Sequence, residues 1–206
     1  STNYSVMRLR KDVLEQSYIG VIATSVRRSK TPDLPLTGDP RDDLFMNKRS
    51  NMLAGMDFEY RTTRLFGDKN LLVSGFLAGS HTPGVTDGNI GGRLFLDFPN
   101  DTIDSWASYE AVGPNFNPEL GYARRTGIRT YSSVFRYTPR IGFIPHVKKL
   151  LFVPYEITYT TDMGTDILTR TYELRPFGVE LDNGDQATFN IHFHYDYVDE
   201  EYDVFE

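Results

Sequence analysis

Apolar and polar residues alternate along this chain with a period of two, in about ten separate segments. In residues 51–61 the even positions are Met52, Ala54, Met56, Phe58 and Tyr60, whereas Asp57, Glu59 and Arg61 occupy odd ones. Successive side chains of a strand point to opposite faces, so this spacing predicts a strand with one apolar and one charged face. Residues 188–198 set Phe189, Ile191, Phe193, Tyr195 and Tyr197 against Asn190, His192, His194 and Asp196. Residues 150–160 set Leu151, Val153, Tyr155, Ile157 and Tyr159 against Glu156, Thr158 and Thr160. The same reasoning predicts strands near 4–10, 17–28, 69–80, 90–98, 105–112, 128–138 and 166–181. The last of these changes parity: Tyr172 and Leu174 are even, Phe177, Val179 and Leu181 are odd, and Pro176 stands at the change. A β-bulge at that point restores a single apolar face, and a bulge tolerates proline.

The connections sort by length. LFGDK (65–69), PNDTID (99–104), DMGTD (162–166) and DNGD (182–185) are short and built from Gly, Asn and Asp, as tight hairpins require. The stretches 28–50, 80–89 and 113–127 are long and polar, so short and long connections alternate over the first half of the chain. No segment of ten residues or more has a 3.6-residue period, and KDVLEQS (11–17) reads as a turn. The expected fold is all-β: an antiparallel up-and-down meander of about ten strands, a closed or partial β-barrel of outer-membrane type, in a single domain spanning 1–206.

Composition narrows the function classes. A net charge of −6 with scattered basic residues gives no field for a polyanion, so no nucleic-acid partner is expected. With no cysteine there is no disulfide framework, thiol nucleophile or thiolate metal site. No apolar run is long enough for a membrane helix, and no charged start followed by an apolar core marks a signal peptide. The Ser-Thr-Asn start, without an initiator Met, reads as a mature or excised fragment. Thirteen Tyr and 14 Phe in a chain of mean hydropathy −0.41 fit strands with one apolar and one wet face.

Which face is enclosed decides between two barrels. A soluble barrel fills its interior with the apolar face and takes a small hydrophobic ligand there; a membrane barrel turns that face to lipid, with aromatics near its two borders and a polar lumen. Aromatics near the ends of the apolar faces (Phe58, Tyr60, Tyr155, Tyr159, Tyr195, Tyr197) favour the lipid bilayer as partner. So do charges of both signs on the polar faces, among them Asp57, Glu59 and Arg61, and Glu173 and Arg175.

STNYSVMRLRKDVLEQSYIGVIATSV (1–26) and AVGPNFNPELGYARRTGIRTY (111–131) resemble a family of gram-negative outer-membrane β-barrel proteins of unknown function. Its members usually carry a carbohydrate-binding family 9-like domain ahead of the barrel. The Phe-Asn-Pro-Glu-Leu-Gly-Tyr-x-Arg-Arg-Thr-Gly signature matches 116–127, and the likeness extends through TPGVTDGNIGG (82–92) to most of the chain. The resemblance implies an outer-membrane location in the cell envelope and a structural, transport or surface-binding role, with a carbohydrate or other small ligand at the long loops. It implies no established activity. No segment corresponds to the carbohydrate-binding domain, so a sugar-binding role attached to that domain does not transfer. The acidic end DEEYDVFE lacks the terminal aromatic strand of such barrels, and the expectation is therefore a fragment, a small version, or the ordered part of something larger.

Candidate site residues are few. Glu119, Arg124, Arg125 and Arg129 form a charged group suited to an anion, guanidinium being matched to phosphate and carboxylate; the plainer reading pairs them with carboxylates at the loop rim. His192 and His194, with Asp196, share a strand face at a spacing that lets two imidazoles reach one metal, but His-x-His without a third ligand reads first as a polar row. His81 and His146 fall in loops without a motif. Asp57, Glu59, Glu156 and Glu173 show no spacing that singles out an acid–base pair, and no serine lies in a nucleophile-elbow context, so an envelope hydrolase is the least favoured class and no cofactor is expected.

Overall fold

The computed structural model describes residues 1–33, 35, 38, 45 and 48–197. Its strands are β1 (Thr2–Val13), β2 (Ser17–Arg28), β3 (Ser50–Leu65), β4 (Lys69–His81), β5 (Ile90–Pro99), β6 (Ile103–Val112), β7 (Ile128–Tyr137), β8 (Val147–Leu150), β9 (Phe152–Asp162), β10 (Ile167–Leu181) and β11 (Gln186–Asp196). They make one antiparallel up-and-down sheet in the order β1-β2-β3-β4-β5-β6-β7-β9-β10-β11, with β8 paired to β10. Among the described residues no ladder joins β1 to β11, so the sheet is not closed by hydrogen bonds. Eleven of the 23 residues 28–50, and the acidic end from 198 onward, lie outside the described residues.

Every expected strand is present, and the strand missed by alternation is β8. Its four residues, Val-Lys-Lys-Leu, are too few to show a period. It is the first part of one strand line continued by β9: Leu150 lies opposite Val179, the Leu151 N–H donates to the Gly178 carbonyl at 2.8 Å, and Val153 lies opposite Arg175. The 11–17 turn also shrinks, because β1 runs to Val13 and only 14–16 connect it to β2.

The parity change in β10 is a bulge, as the sequence requires. Leu174 pairs with Ile191 and Phe177 with Phe189, so three steps on β10 face two on β11. The extra residue keeps Tyr172, Leu174 and Phe177 on one face with Phe193, Ile191 and Phe189, while Thr171 and Glu173 stay opposite His194 and His192.

The chain groups into two compact units. The first comprises Ser1–Thr62, Leu72–Phe95 and Glu110–Ile128; the second comprises Thr63–Leu71, Leu96–Tyr109 and the chain from Arg129 onward. In the first, the ladders Leu9–Val21–Met56 and Lys11–Ile19–Phe58 put the apolar residues of β1, β2 and β3 on a common face. The opposite face carries Arg10–Gly20–Asp57 and Tyr4–Val26–Asn51. It is this second face that is covered at one end, where Val26 and Asn51 are 0% and 1% exposed. In the second unit the most enclosed side chain is Val134, at 1%, on the face of β7 that also carries Arg136.

Deleting Pro176 removes the extra residue and leaves Leu174 and Phe177 two steps apart, as Ile191 and Phe189 are, so the apolar face runs on against β11 without a bulge. Urea unfolding followed by circular dichroism in detergent is expected to keep a cooperative transition both for the deletion and for Pro176→Ala. Loss of that transition in the deletion alone would sink the bulge account.

Candidate functional site: an exposed apolar face and a docked loop

On β1, β2 and β3 the apolar side chains Met7, Leu9, Ile19, Val21, Met52, Met56, Phe58 and Tyr60 are all exposed, Met56 by 61% and Leu9 by 60%. The burial of β3 alternates strictly from Asn51 to Tyr60, with every even, apolar position open and every odd position half-buried or buried. Phe58 lies close over Gly75 of β4, where an added Cβ would come within 3.0 Å of the ring, and Leu94 of β5 borders the same spot. Two shallow apolar depressions indent this face. One, of about 630 Å3, runs between Met7 and Met52 over Ala23, Ala54 and Gly79; the other, of about 610 Å3, runs between Leu9, Ile19, Met56 and Phe58.

Charges occupy the opposite face and neutralise one another. Arg8 grips Asp57 with both terminal nitrogens, Nη2 lying 2.7 Å from Oδ2. Arg61 reaches Glu59 at 3.0 Å, and the Arg10 guanidinium sits 3.7 Å from the centre of the Tyr18 ring. In the second unit Arg136 bridges Asp104 at 3.3 Å and Glu156 at 3.7 Å. Glu156 lies directly opposite Glu173, a repulsive pairing that Arg136 on one side and Arg175 (3.9 Å) on the other offset, and His192 Nδ1 lies 3.3 Å from the Glu173 carboxylate. Each of the four carboxylates considered for acid–base chemistry thus has a cationic partner.

The second unit carries aromatic side chains at two levels of one face. Tyr131 stands 4.9 Å from Tyr109 and 6.4 Å from Tyr159, centre to centre; Phe135 stacks on Tyr155 at 6.2 Å and Tyr137 on Phe152 at 6.3 Å. Tyr131 and Tyr137 are both on β7, six residues apart, which at strand rise is roughly 20 Å.

The 113–127 connection in the first unit is built rather than loose. The Gly113 N–H donates to the Ile90 carbonyl at 2.8 Å and Asn115 N–H to the Gly88 carbonyl at 2.8 Å. A Cβ on Gly113 would lie 2.1 Å from the Gly88 oxygen, so only glycine allows this approach. Phe116 is buried against Gly91. Asn51 Nδ2 donates to Thr82 Oγ1 (2.9 Å) and to the Asn117 carbonyl (3.1 Å), and the Asn117 N–H donates to Ser80 Oγ (2.9 Å). Glu119 makes its ion pair with Arg28, whose Nη1 also donates to the Lys48 carbonyl at 3.2 Å.

The sequence-predicted site residues therefore do not form one group. Glu119 is taken by Arg28 rather than by the arginines after it. Arg124 and Arg125 are exposed and make no ion pair among the described residues; Arg129, half-buried as the second residue of β7, makes none either. His192 faces Glu173, while His194 has Thr171 Oγ1 3.1 Å from Nδ1 and Asp196 2.6 Å from Nε2. No cluster of three potential metal ligands occurs among the described residues. His81 closes β4 instead of lying in a loop. Arg28, Asn51, Ser80, Thr82 and Asn117, which hold the loop, carried no spacing signal; Asn51 as the first polar-face residue of β3 beside a long loop was the one available hint. Comparison with protein-family models, curated proteins and solved structures returns no match.

Asn51→Ala strips partners from Thr82 and the Asn117 carbonyl, and a loss of about 1–3 kcal/mol is expected from the shift in denaturant midpoint at unchanged slope. At the 99–103 turn, Arg140 Nε and Nη2 bind both oxygens of Asp101 at 2.7 and 2.9 Å, and this hydrogen-bonded arginine, helped by Lys149 and Lys148, holds the Asp101 carboxyl below its ordinary range. The pair's contribution is thus complete above the unfolded-state titration of aspartate and is lost as pH falls through the lower, folded value. Carboxyl-carbon NMR should place the Asp101 midpoint below that of an exposed aspartate, rising in Arg140→Ala; identical midpoints would refute the link.

Proposed function

We propose that this chain is the lipid-facing sheet of an outer-membrane β-barrel in a gram-negative cell envelope, with a structural, transport or surface ligand-binding role at its long loops. The observation that carries the reading is the inverted burial of β1–β3: large apolar side chains stand open on one face while charges and Asn51 line the half-buried and covered one. In water, eight such side chains left about half open forgo stabilisation on the order of 10 kcal/mol, comparable with the whole net stability of a domain. Hydrocarbon removes that cost.

The dimensions agree with a bilayer. From Met52 to Tyr60 the apolar row covers eight steps, roughly 27 Å of strand, against an outward apolar band of about 25 Å in such barrels. The two aromatic levels on β7 have the spacing of interfacial girdles, and the paired charges of the polar faces suit a wet lumen. The signature at 116–127 belongs to the same proposal. Among the described residues no helix is long and apolar enough to cross a membrane, which has no bearing on crossing by strands. The alternative of a soluble barrel with an enclosed hydrophobic ligand calls for Phe189 and Phe193 to be packed inside; both are 59% exposed, which favours the lipid-facing reading.

The absence of cysteine makes the test direct, because a single introduced thiol labels cleanly. With the chain reconstituted in phosphatidylcholine, a fluorescent probe on Met56→Cys should be quenched strongly by brominated lipid and weakly by aqueous iodide, and a probe on Glu59→Cys the reverse. A chain that stays monodisperse without detergent, with Met56→Cys open to iodide, would sink the proposal.

A further inference from the structure

The apolar face of β1–β3 ends, at the side of the long connections, in a border of cations. Arg27 continues the face of Ile19, Val21 and Ala23 and lies opposite Asn3 on β1 and Ser50 on β3. Arg27 and Lys30 are exposed and make no ion pair among the described residues. Arg49 is brought beside them by its carbonyl, which accepts from the Arg28 N–H at 2.8 Å, and its own Nη2 donates to the Ser29 carbonyl at 3.1 Å. Lys48 stands next to it. Glu119 is already neutralised by Arg28, and Arg124 and Arg125 follow it, exposed, in the same connection. Arg27, Lys30 and Arg49 thus come together where the apolar band stops.

We infer that this border binds the phosphate-bearing headgroups of the bilayer whose hydrocarbon covers the adjoining face, so that the chain prefers an anionic lipid surface. The inference rests on the lipid-facing reading above. It is carried by two further facts. Arg27 lies on the apolar face itself, at the end where its strands run into the long connections, as the headgroup layer adjoins hydrocarbon. Among the described residues Arg27, Lys30, Arg124 and Arg125 also make no ion pair, whereas Arg8, Arg61 and Arg136 on the polar faces do. Guanidinium and ammonium groups at such a surface each add to affinity and are screened by salt. At the other end of the same face Lys11 lies in the row of Ile19 and Phe58, away from this border.

The test uses the detergent-solubilised full chain diluted into preformed vesicles, either phosphatidylcholine alone or phosphatidylcholine with a third phosphatidylglycerol, and measures association by flotation at low and high salt. The expected result is association with both compositions and a preference of at least tenfold for the anionic one that disappears at 1 M salt. The combined Arg27→Ala, Lys30→Ala, Arg124→Ala and Arg125→Ala variant should lose that preference while keeping its association with phosphatidylcholine and its circular dichroism, and Lys11→Ala should keep the preference. Inorganic phosphate at matched ionic strength should not compete; competition would mean a site for free anion and overturn the headgroup assignment. Equal association of the parent with both compositions, or equal loss in Lys11→Ala, overturns the cationic border and leaves the lipid-facing sheet standing. Failure to associate with either composition overturns both, and a variant that loses its circular dichroism is replaced by the Arg27→Ala, Lys30→Ala pair, judged by the same preference.

Discussion

The organisation of this protein depends on each strand keeping its apolar residues on one face for ten residues or more. Backbone hydrogen bonds fix neighbouring strands in register, and the two-residue repeat of the side chains then leaves no freedom: a slip by one residue exchanges the faces. The ladders Leu9–Val21–Met56 and Arg10–Gly20–Asp57 lie one step apart and belong to opposite environments. Where β10 departs from the repeat, a single extra residue at Pro176 corrects it against β11.

From that constraint comes the inverted distribution of burial. The charged faces are the more enclosed, and they are tolerable there because opposite charges meet across strands: Arg8 with Asp57, and Arg136 with Asp104 and Glu156. A buried or half-buried charge without a partner is costly, and pairing across the ladder removes much of that cost without requiring bulk water. The apolar faces need no internal partner if the surroundings are themselves apolar. One sheet thus presents a self-sufficient polar side and a side whose completion is left to the environment.

Much of this was legible in the residues. Alternation over eight to eleven positions is a direct image of strand geometry, so the strands near 51–61 and 188–198, and even the bulge at 176, could be read without coordinates. β8 could not, since four residues carry no period. The partnership of Glu119 with Arg28 spans 91 positions, and nothing in local spacing connects them. For the same reason the arginines at 124 and 125 read as members of one group with Glu119, although the turn closed by the Gly121 N–H on the Pro118 carbonyl separates their positions along the loop. Local chemistry identified which residues were charged; only the fold could decide which charges meet.

The close approach of Gly113 to Gly88 has a consequence for how this protein can vary. With an oxygen where a Cβ would stand, and with Asn115, Phe116, Asn117 and Glu119 each anchored in turn, the first half of the 113–127 connection is as fixed as a strand and is bound to the 82–89 connection as one piece. Insertions or sequence drift in either segment must be matched by the other. The stretch from Leu120 to Arg125, with Tyr122 standing 85% open, is free of that bond. It is the place where new sequence can be displayed from a rigid base, by evolution or by a peptide graft.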